Sequence, residues 1–343
     1  MLAARLLQCL CLVGVVTVSA AVGSGLLTGT AAQQYSAICV VAKDENMYVR
    51  EWLTYHRCLG VDKVYLYDHN STLPLRQGIE DLIASGYVQY IPYTGSHVRY
   101  THGFSSDLQR FQTTIQGQVY KDCLARFSGR HTFMGFIDVD EFVAFHEPGL
   151  IDINSLLRRY EAYGGLSLYW VLLGSSGHLQ PPAAGVVPSY RQCLPRRHKA
   201  NTQFKTFVNT AFSPTMYSPH RASFAASVAT AYLVDENMRR IAKGRNKNST
   251  HGVAAVYHYA TKSWADFEAK RRRGGGAGVT RPSQYLRTLD AQCTATCLAV
   301  MQTWNEACAA RGLPYMPVAL DHVGAGSNVL QVAGSWGQGI GAG

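Results

Sequence analysis

Thr132-Phe133-Met134-Gly135-Phe136-Ile137-Asp138-Val139-Asp140-Glu141 is the stretch on which the fold turns. Residues 132–137 form a run without polar alternation, the pattern of a strand buried on both faces, and the run breaks abruptly into acids. Asp138 and Asp140 are two positions apart, so on extended backbone they leave the chain on the same side. Two hard oxygen donors at one strand end can grip Mn²⁺ or Mg²⁺ together with a phosphate that the ion carries. The same spacing also describes a solvated turn, so the choice depends on what else reaches this strand end.

The same grammar repeats on the N-terminal side. Ala37-Ile38-Cys39-Val40-Val41 is another unbroken apolar run, and it stops at Lys43-Asp44-Glu45-Asn46. A helix through Trp52, Leu53 and Leu59 follows, with Gly60 just past its end. Residues 63–67 read as a strand that ends in Asp68-His69-Asn70-Ser71. Next come a helix opened by Pro74 and closed by Gly86, a strand over 88–93, and one long amphipathic helix carrying Leu108, Phe111, Ile115, Val119 and Cys123. Repeated strand-then-helix units predict an α/β fold, a single domain built on a mostly parallel sheet flanked by helices. Ligands of such sheets lie beyond the carboxyl ends of the strands. Residues 43–46, 68–71 and 138–141 are therefore expected on one rim. After Trp170 the pattern turns to short strands and loops, with helices from Ser263 and from about Pro282.

Composition sets the outer limits. The 343 residues are 47% hydrophobic and 16% charged, which excludes disorder of the whole chain and collagen-like classes. The net charge of +10 is unevenly placed: residues 1–170 carry 13 Lys and Arg against 15 Asp and Glu, and the rest carry 19 against 7. No zinc finger, RNP motif or heptad-linked basic region accompanies the excess, so a phosphorylated small molecule fits at least as well as nucleic acid, and the apolar leader described next disfavours a nucleic-acid partner, so none is expected. Residues 6–18 are nearly unbroken apolar and precede Val18-Ser19-Ala20, so residues 1–22 read as a signal peptide or as a signal-anchor able to hold the chain in a membrane. Either address implies the secretory pathway. Asn70-Ser71-Thr72 and Asn248-Ser249-Thr250 are glycosylation acceptors that agree with it, Asn248 being expected to react more readily than Asn70 on the crowded rim.

Of nine cysteines, Cys9 and Cys11 fall in the leader, leaving an odd seven, so at least one thiol stays free or pairs outside the chain. Cys39, inside an apolar strand, is expected to be a small buried hydrophobe. Cys293 and Cys297 lie four apart in a helical-looking stretch, too far for the usual disulfide, so each needs another partner, Cys308 being one. Residues 323–343 are Gly- and Ser-rich without periodicity and read as a disordered tail.

Several segments together resemble glycosyltransferase family 92. They are Ala42-Lys43-Asp44-Glu45, Glu51-Trp52-Leu53-Thr54-Tyr55-His56, Leu59-Gly60-Val61-Asp62, and Tyr65-Leu66-Tyr67-Asp68-His69-Asn70-Ser71. Phe136-Ile137-Asp138-Val139-Asp140-Glu141-Phe142, Trp170 with Gly174-Ser175-Ser176-Gly177-His178, and His258-Tyr259 with Lys262, Phe267, Lys270 and Arg273-Gly274 complete the set, in order. The resemblance implies a GT-A fold over 36–310, a UDP-sugar donor, with UDP-galactose the expected one, inversion at the sugar, Mn²⁺ (or Mg²⁺) dependence and a place in the Golgi lumen. The acceptor is expected to be a glycan or polysaccharide.

Carried onto this chain, Asp138, Asp140 and His258 would be metal ligands, although a histidine between apolar neighbours is equally at home in a core. Lys43, Glu45 and Asp68 would face the donor's nucleoside. Lys205 and Lys262 are expected to neutralise the leaving diphosphate. Arg271-Arg272-Arg273 reads either as a solvated helix end or as cations beside an anionic ligand. Trp170 and Trp264 could stack on a sugar or fill the core. An inverting transferase needs a general base, yet no acid occurs between Glu161 and Asp235. Glu141, Asp235 and His178 are the candidates. Two rival readings use the same residues: a glycan-binding protein with an inactive GT-A fold, and a glycoside hydrolase using Asp138, Asp140 and Glu141.

Overall fold

The computed structural model describes residues 34–98, 104, 106–241, 249–274 and 280–314. The expected leader, the tail and Asn248 lie outside the described residues. The first half runs β1 (Gln34–Ala42), α1 (Asn46–Cys58), β2 (Lys63–His69), α2 (Glu80–Ala84), β3 (Val88–Tyr93), α3 (Asp107–Gln112), α4 (Ile115–Phe127), β4 (His131–Phe136), β5 (Glu141–Phe145) and α5 (Ile153–Arg158). The second half runs β6 (Gly165–Leu172), β7 (Gln192–Cys193), β8 (Phe204–Asn209), β9 (Pro214–Met216), β10 (Ala222–Phe224), β11 (Leu233–Val234), β12 (Ala254–His258), α6 (Trp264–Arg273), α7 (Gln284–Gln292), β13 (Ala295–Thr296) and α8 (Ala299–Ala310).

Nine strands form one mixed sheet in the order β3-β2-β1-β4-β8-β6-β12-β5, with β11 beside β6. Strands β1 to β4 pair in parallel, as expected. Antiparallel β8 is inserted between β4 and β6, and β5 closes the far edge antiparallel to β12. This is the GT-A-type sheet flanked by helices. The unbroken apolar runs have a simple cause: Ile38 and Val40 belong to one buried layer with Trp52, Leu53 and Leu66, whereas Ala37 and Cys39 belong to the other with Tyr65, Tyr67 and Val119. A strand covered on both faces has no solvent side to mark with polar residues.

Four local expectations need correction. The helix opened by Pro74 is helical only over Glu80–Ala84, since residues 74–79 make successive tight turns closed by Gln77 N–H to Pro74 O and Ile79 N–H to Arg76 O. The long amphipathic helix is two helices, because Thr114 turns its hydroxyl onto the Gly117 amide at 3.0 Å and starts α4 afresh. Gly117 is required there: a Cβ would collide with the Phe111 carbonyl at the end of α3. Cys39 is not a free hydrophobe but is bonded to Cys123, because the buried stripe of α4 packs onto the face of β1 that carries it. Cys297 lies beyond α7, past β13, and pairs with Cys193, while Cys308 pairs with Cys58. Cys293 is the free, buried thiol that the odd count required.

Candidate active site

The carboxyl ends of β1 and β4 and the end of β12 open on one cleft of about 960 Å³. Antiparallel pairing of β12 with β5 sets His258 opposite Glu141, and this register carries the histidine to the acidic turn. The turn itself is closed by Glu141 N–H to Asp138 O at 3.0 Å and, in return, by Asp138 N–H to Glu141 Oε2 at 2.8 Å. Trp52 Nε1 donates to the Glu141 carbonyl at 2.7 Å and ties the turn to α1.

Each carboxylate of the turn meets a cation from far away in sequence. Lys205 on β8 is fully buried, with Nζ 2.8 Å from Asp138 Oδ2 and 3.2 Å from Glu141 Oε2. Gln116 on α4 donates to Asp138 Oδ1 at 2.8 Å, so both Asp138 oxygens are engaged. Lys270 on α6 bonds Asp140 Oδ2, and His258 Nε2 stands 3.5 Å from the same oxygen. On the neighbouring wall, Lys262 Nζ lies 3.0 Å from Glu45 Oε2 and Arg273 bonds Glu45 Oε1. Lys262 reaches this position from a left-handed backbone with φ of 54°, its ammonium 3.6 Å over the Tyr48 ring.

Burial works against the charged forms of Asp140, Lys205, Lys270, Glu141 and His258, and pairing reverses it for the first three. Burial alone would raise the Asp140 carboxyl, but the Lys270 ammonium and His258 outweigh it and hold Asp140 well below the usual carboxylate range. Burial also disfavours the charged forms of Lys205 and Lys270, yet their carboxylate partners push both above the ordinary lysine range. Glu141 goes the other way: burial dominates, Asp138 and Asp140 add to it, and the carboxyl is raised well above its usual value despite Lys205. Burial lowers His258, with Asp140 opposing.

Of the residues expected to bind donor or metal, Lys43, Glu45, Asp138, Asp140 and His258 line the cleft. Lys205 and Lys262 lie directly beneath it, each gripping a lining acid. Asp68 is turned away: its carboxylate accepts from Ser71 N, Leu75 N and the Tyr90 hydroxyl at 2.7–3.2 Å and shapes its own loop. The three base candidates do not reach the cleft. Glu141 is fully buried under the turn. Asp235 is sealed in a turn by the amides of Asn237 and Arg239 and by Arg239 Nε at 3.0 Å. His178 packs against Tyr190, with Nε2 3.3 Å from the Ser189 carbonyl. Trp170 does line the cleft, whereas Trp264 sits under Arg287.

Of the three arginines at the end of α6, Arg273 enters the cleft and Arg271 pairs with Glu268 at 2.9 Å. Sequence reading assigned no role to Gln116, His220, Arg281 or Lys270. Lys270 alone had a usable signal, lying one turn beyond the buried Phe267 on a helix with a complete capping box at Ser263.

Among the described residues no three His, Cys, Asp or Glu side chains converge as a ready metal-ligand set. A Mg²⁺- or Mn²⁺-type ion that keeps waters and phosphate oxygens needs only one or two protein donors. Asp140 Oδ2 and His258 Nε2 fit that smaller set, and the Lys270 ammonium shows that this oxygen already attracts a cation. Asp138 fits less directly, because its oxygens are held by Lys205 and Gln116.

The sheet, with its acidic turn, facing histidine and cation-lined cleft at one rim, defines a GT-A-type domain. The family model described as glycosyltransferase family 92 matches residues 34–211. The chain belongs to this family. A family 92 protein of Ricinus communis is 25% identical over 239 residues, covering 68% of this chain and 36% of the relative. One from Arabidopsis thaliana is 26% identical over 244 residues, again covering 68% and 36%. The chain thus spans about a third of the length of the curated relatives it matches. Among solved structures, S. aureus TarS 1-349 aligns over 75% of this chain and 70% of its own with 11% identity and a TM-score of 0.35. TarS 1-349 in complex with UDP aligns over 52% and 47%, with 13% identity and a TM-score of 0.32.

Proposed function

We propose that this chain is a glycosyltransferase that moves a sugar, galactose, from a UDP-sugar to a glycan or polysaccharide acceptor with inversion, with Mn²⁺ or Mg²⁺ held by Asp140 and His258. The observation that carries this reading is the shared wall of the cleft, where Asp138, Asp140 and His258 stand beside Lys43, Lys270 and Arg273. A site that must hold both a cation and a diphosphate needs both signs of charge within reach. When bound, the divalent ion supplies Lewis-acid stabilisation of the diphosphate's growing charge.

The chain's own residues then have separable tasks. Gln116 and Lys205 fix the Asp138 carboxylate, and through Glu141 they fix the turn that presents Asp140. Lys262 and Arg273 clamp Glu45, placing it on the wall where the nucleoside is proposed to lie. Lys270, partly exposed at 36%, is free to exchange Asp140 for a phosphate oxygen and so to stabilise the departing diphosphate. The hydrolase reading loses ground here, because Asp138 is doubly bonded and Glu141 is sealed beneath the turn.

The test is a thermal melt combined with donor turnover. UDP is expected to raise the melting temperature in Mn²⁺ or Mg²⁺ and not in chelator, by about 2–3 kcal/mol of stabilisation at a hundredfold excess over Kd. A panel of UDP- and GDP-sugars then reports the donor. Equal stabilisation by UDP in chelator would count against the metal, and no metal-dependent turnover of any donor would favour the inactive-homologue reading.

The same proposal places the chain in the secretory pathway, in the Golgi lumen, anchored or released. Three disulfides among the described residues support an oxidising compartment. In eukaryotic cells the expressed chain is expected to shift in mobility on treatment with an N-glycosidase; a cytosolic product insensitive to the enzyme would overturn the placement.

A further inference from the structure

The cleft lacks a carboxylate base on the wall formed by residues 217–221, yet that wall carries His220. Its Nδ1 lies 2.7 Å from the Phe204 carbonyl oxygen. A carbonyl only accepts, so Nδ1 bears the ring proton and Nε2 is left as a bare lone pair. The loop around it is pinned from both sides. Thr206 Oγ1 donates to the His220 carbonyl at 2.7 Å, and the amides of His220 and Arg221 donate to Ser218 Oγ at 3.2 and 3.0 Å. Phe204 and Thr206 flank Lys205 on β8, so the imidazole is referenced to the same strand that holds Asp138. The His220 ring meets Trp170 edge-on at 5.2 Å, and Trp170 in turn lies 4.3 Å from His258. One aromatic side chain therefore separates His220 from the centre of the acidic site.

We propose that His220 is the general base of glycosyl transfer, a role that rests on the function proposed above. The acceptor hydroxyl gives its proton to Nε2 while its oxygen forms a bond to the anomeric carbon of the donor sugar. The bond from that carbon to the diphosphate oxygen breaks, and its electron pair leaves with the nucleoside diphosphate. The resulting imidazolium keeps its Nδ1–H on the Phe204 carbonyl and afterwards releases the Nε2 proton to water. Burial, with the Lys205 ammonium adding to it, lowers the ring's pKa to about 3, which leaves Nε2 unprotonated but makes the ring a weak base in the ligand-free cleft. A bound diphosphate brings negative charge into the same cleft and raises the ring's basicity during the reaction. Asp107, the one acid among the described lining residues with no role assigned above, is exposed and paired with Arg110 at 2.9 Å.

The test uses the full chain with UDP-galactose and Mn²⁺, taking ethanol as a minimal acceptor and azide as a nucleophile that has no proton to lose. His220→Asn and His220→Ala are expected to lower transfer to ethanol by about 10²–10⁴-fold while UDP affinity stays within about threefold. Azide should restore turnover in both variants but not in His258→Ala. Unchanged ethanol transfer, absence of azide rescue, or the same loss and rescue in Asp107→Asn would overturn the proposal. If the wild-type chain turns over no UDP- or GDP-sugar, the transferase reading fails and this assignment falls with it. If the wild type transfers sugar to ethanol and the His220 variants do so equally well, only the base assignment fails.

Discussion

His258→Ala and Asp140→Asn are each expected to cut metal-dependent turnover by about 10²–10³-fold, the size of a Lewis-acid contribution of several kcal/mol, while melting temperature changes little. Both side chains present their donor atoms toward one point, with His258 Nε2 3.5 Å from Asp140 Oδ2. Groups that act through one ion are not additive, so the double variant should be little worse than either single one. Stability is expected to hold because Lys270, the cation left behind by Asp140→Asn, is 36% exposed and can turn into the cleft. Isothermal titration with Mn²⁺ and UDP reads binding apart from turnover. A His258→Ala protein that melts several degrees lower and keeps full metal affinity would make this residue a core histidine packed on Trp170, not a ligand.

Lys205→Met should have the opposite signature, a large loss of stability. Lys205 has no exposed surface and is the shared counter-ion of Asp138 and Glu141. Removing one partner from a buried ionic cluster leaves uncompensated charge and costs about 3–5 kcal/mol. For a domain of this size that corresponds to a fall in melting temperature of roughly 6–15 °C. Methionine keeps most of the stem, so the loss reports charge and not volume. The pH dependence follows from the direction of the Glu141 shift. Its carboxyl is raised above the unfolded value by burial, so its ionised form destabilises the folded state and protonation relieves it. The gap between variant and wild type is therefore expected to narrow as pH falls from 7 to about 5, and to be widest at neutral pH. A gap that is constant over this range, or a fall of under 2 °C, would show that the triad is not a stabilising unit.

Much of the architecture was legible because it depends on local rules. The two apolar runs ending in residues 43–46 and 138–141 announced strands buried on both faces, and Gly60, with φ of 85°, closed α1 where a left-handed residue was needed. The odd cysteine count required a free thiol. Spacing put Asp138 and Asp140 at one strand end, but it read them as extended backbone, whereas β4 stops at Phe136 and residues 138–141 form a turn closed by Glu141 N–H to Asp138 O. Less of the site was legible. Cys39 met Cys123 because α4 lies on that face of β1, which no periodicity in either segment encodes. The break before α4 was invisible because the apolar spacing runs straight across Thr113 and Thr114, and only the hydroxyl bond to Gly117 marks it.

What the sequence determined by itself was thus the class of sheet, the rim on which chemistry would fall and the acidic pair on it. What only the tertiary structure decided was the state of each acid. Asp138 and Asp140 are bound by lysines 67 and 130 positions away, Asp235 is sealed in its own turn, and His220 is brought into the cleft with its tautomer set by Phe204. The physical reason is that strand and helix patterns arise from neighbours along the chain, whereas protonation, pairing and access depend on burial and on distances of about 3–4 Å between groups that folding brings together.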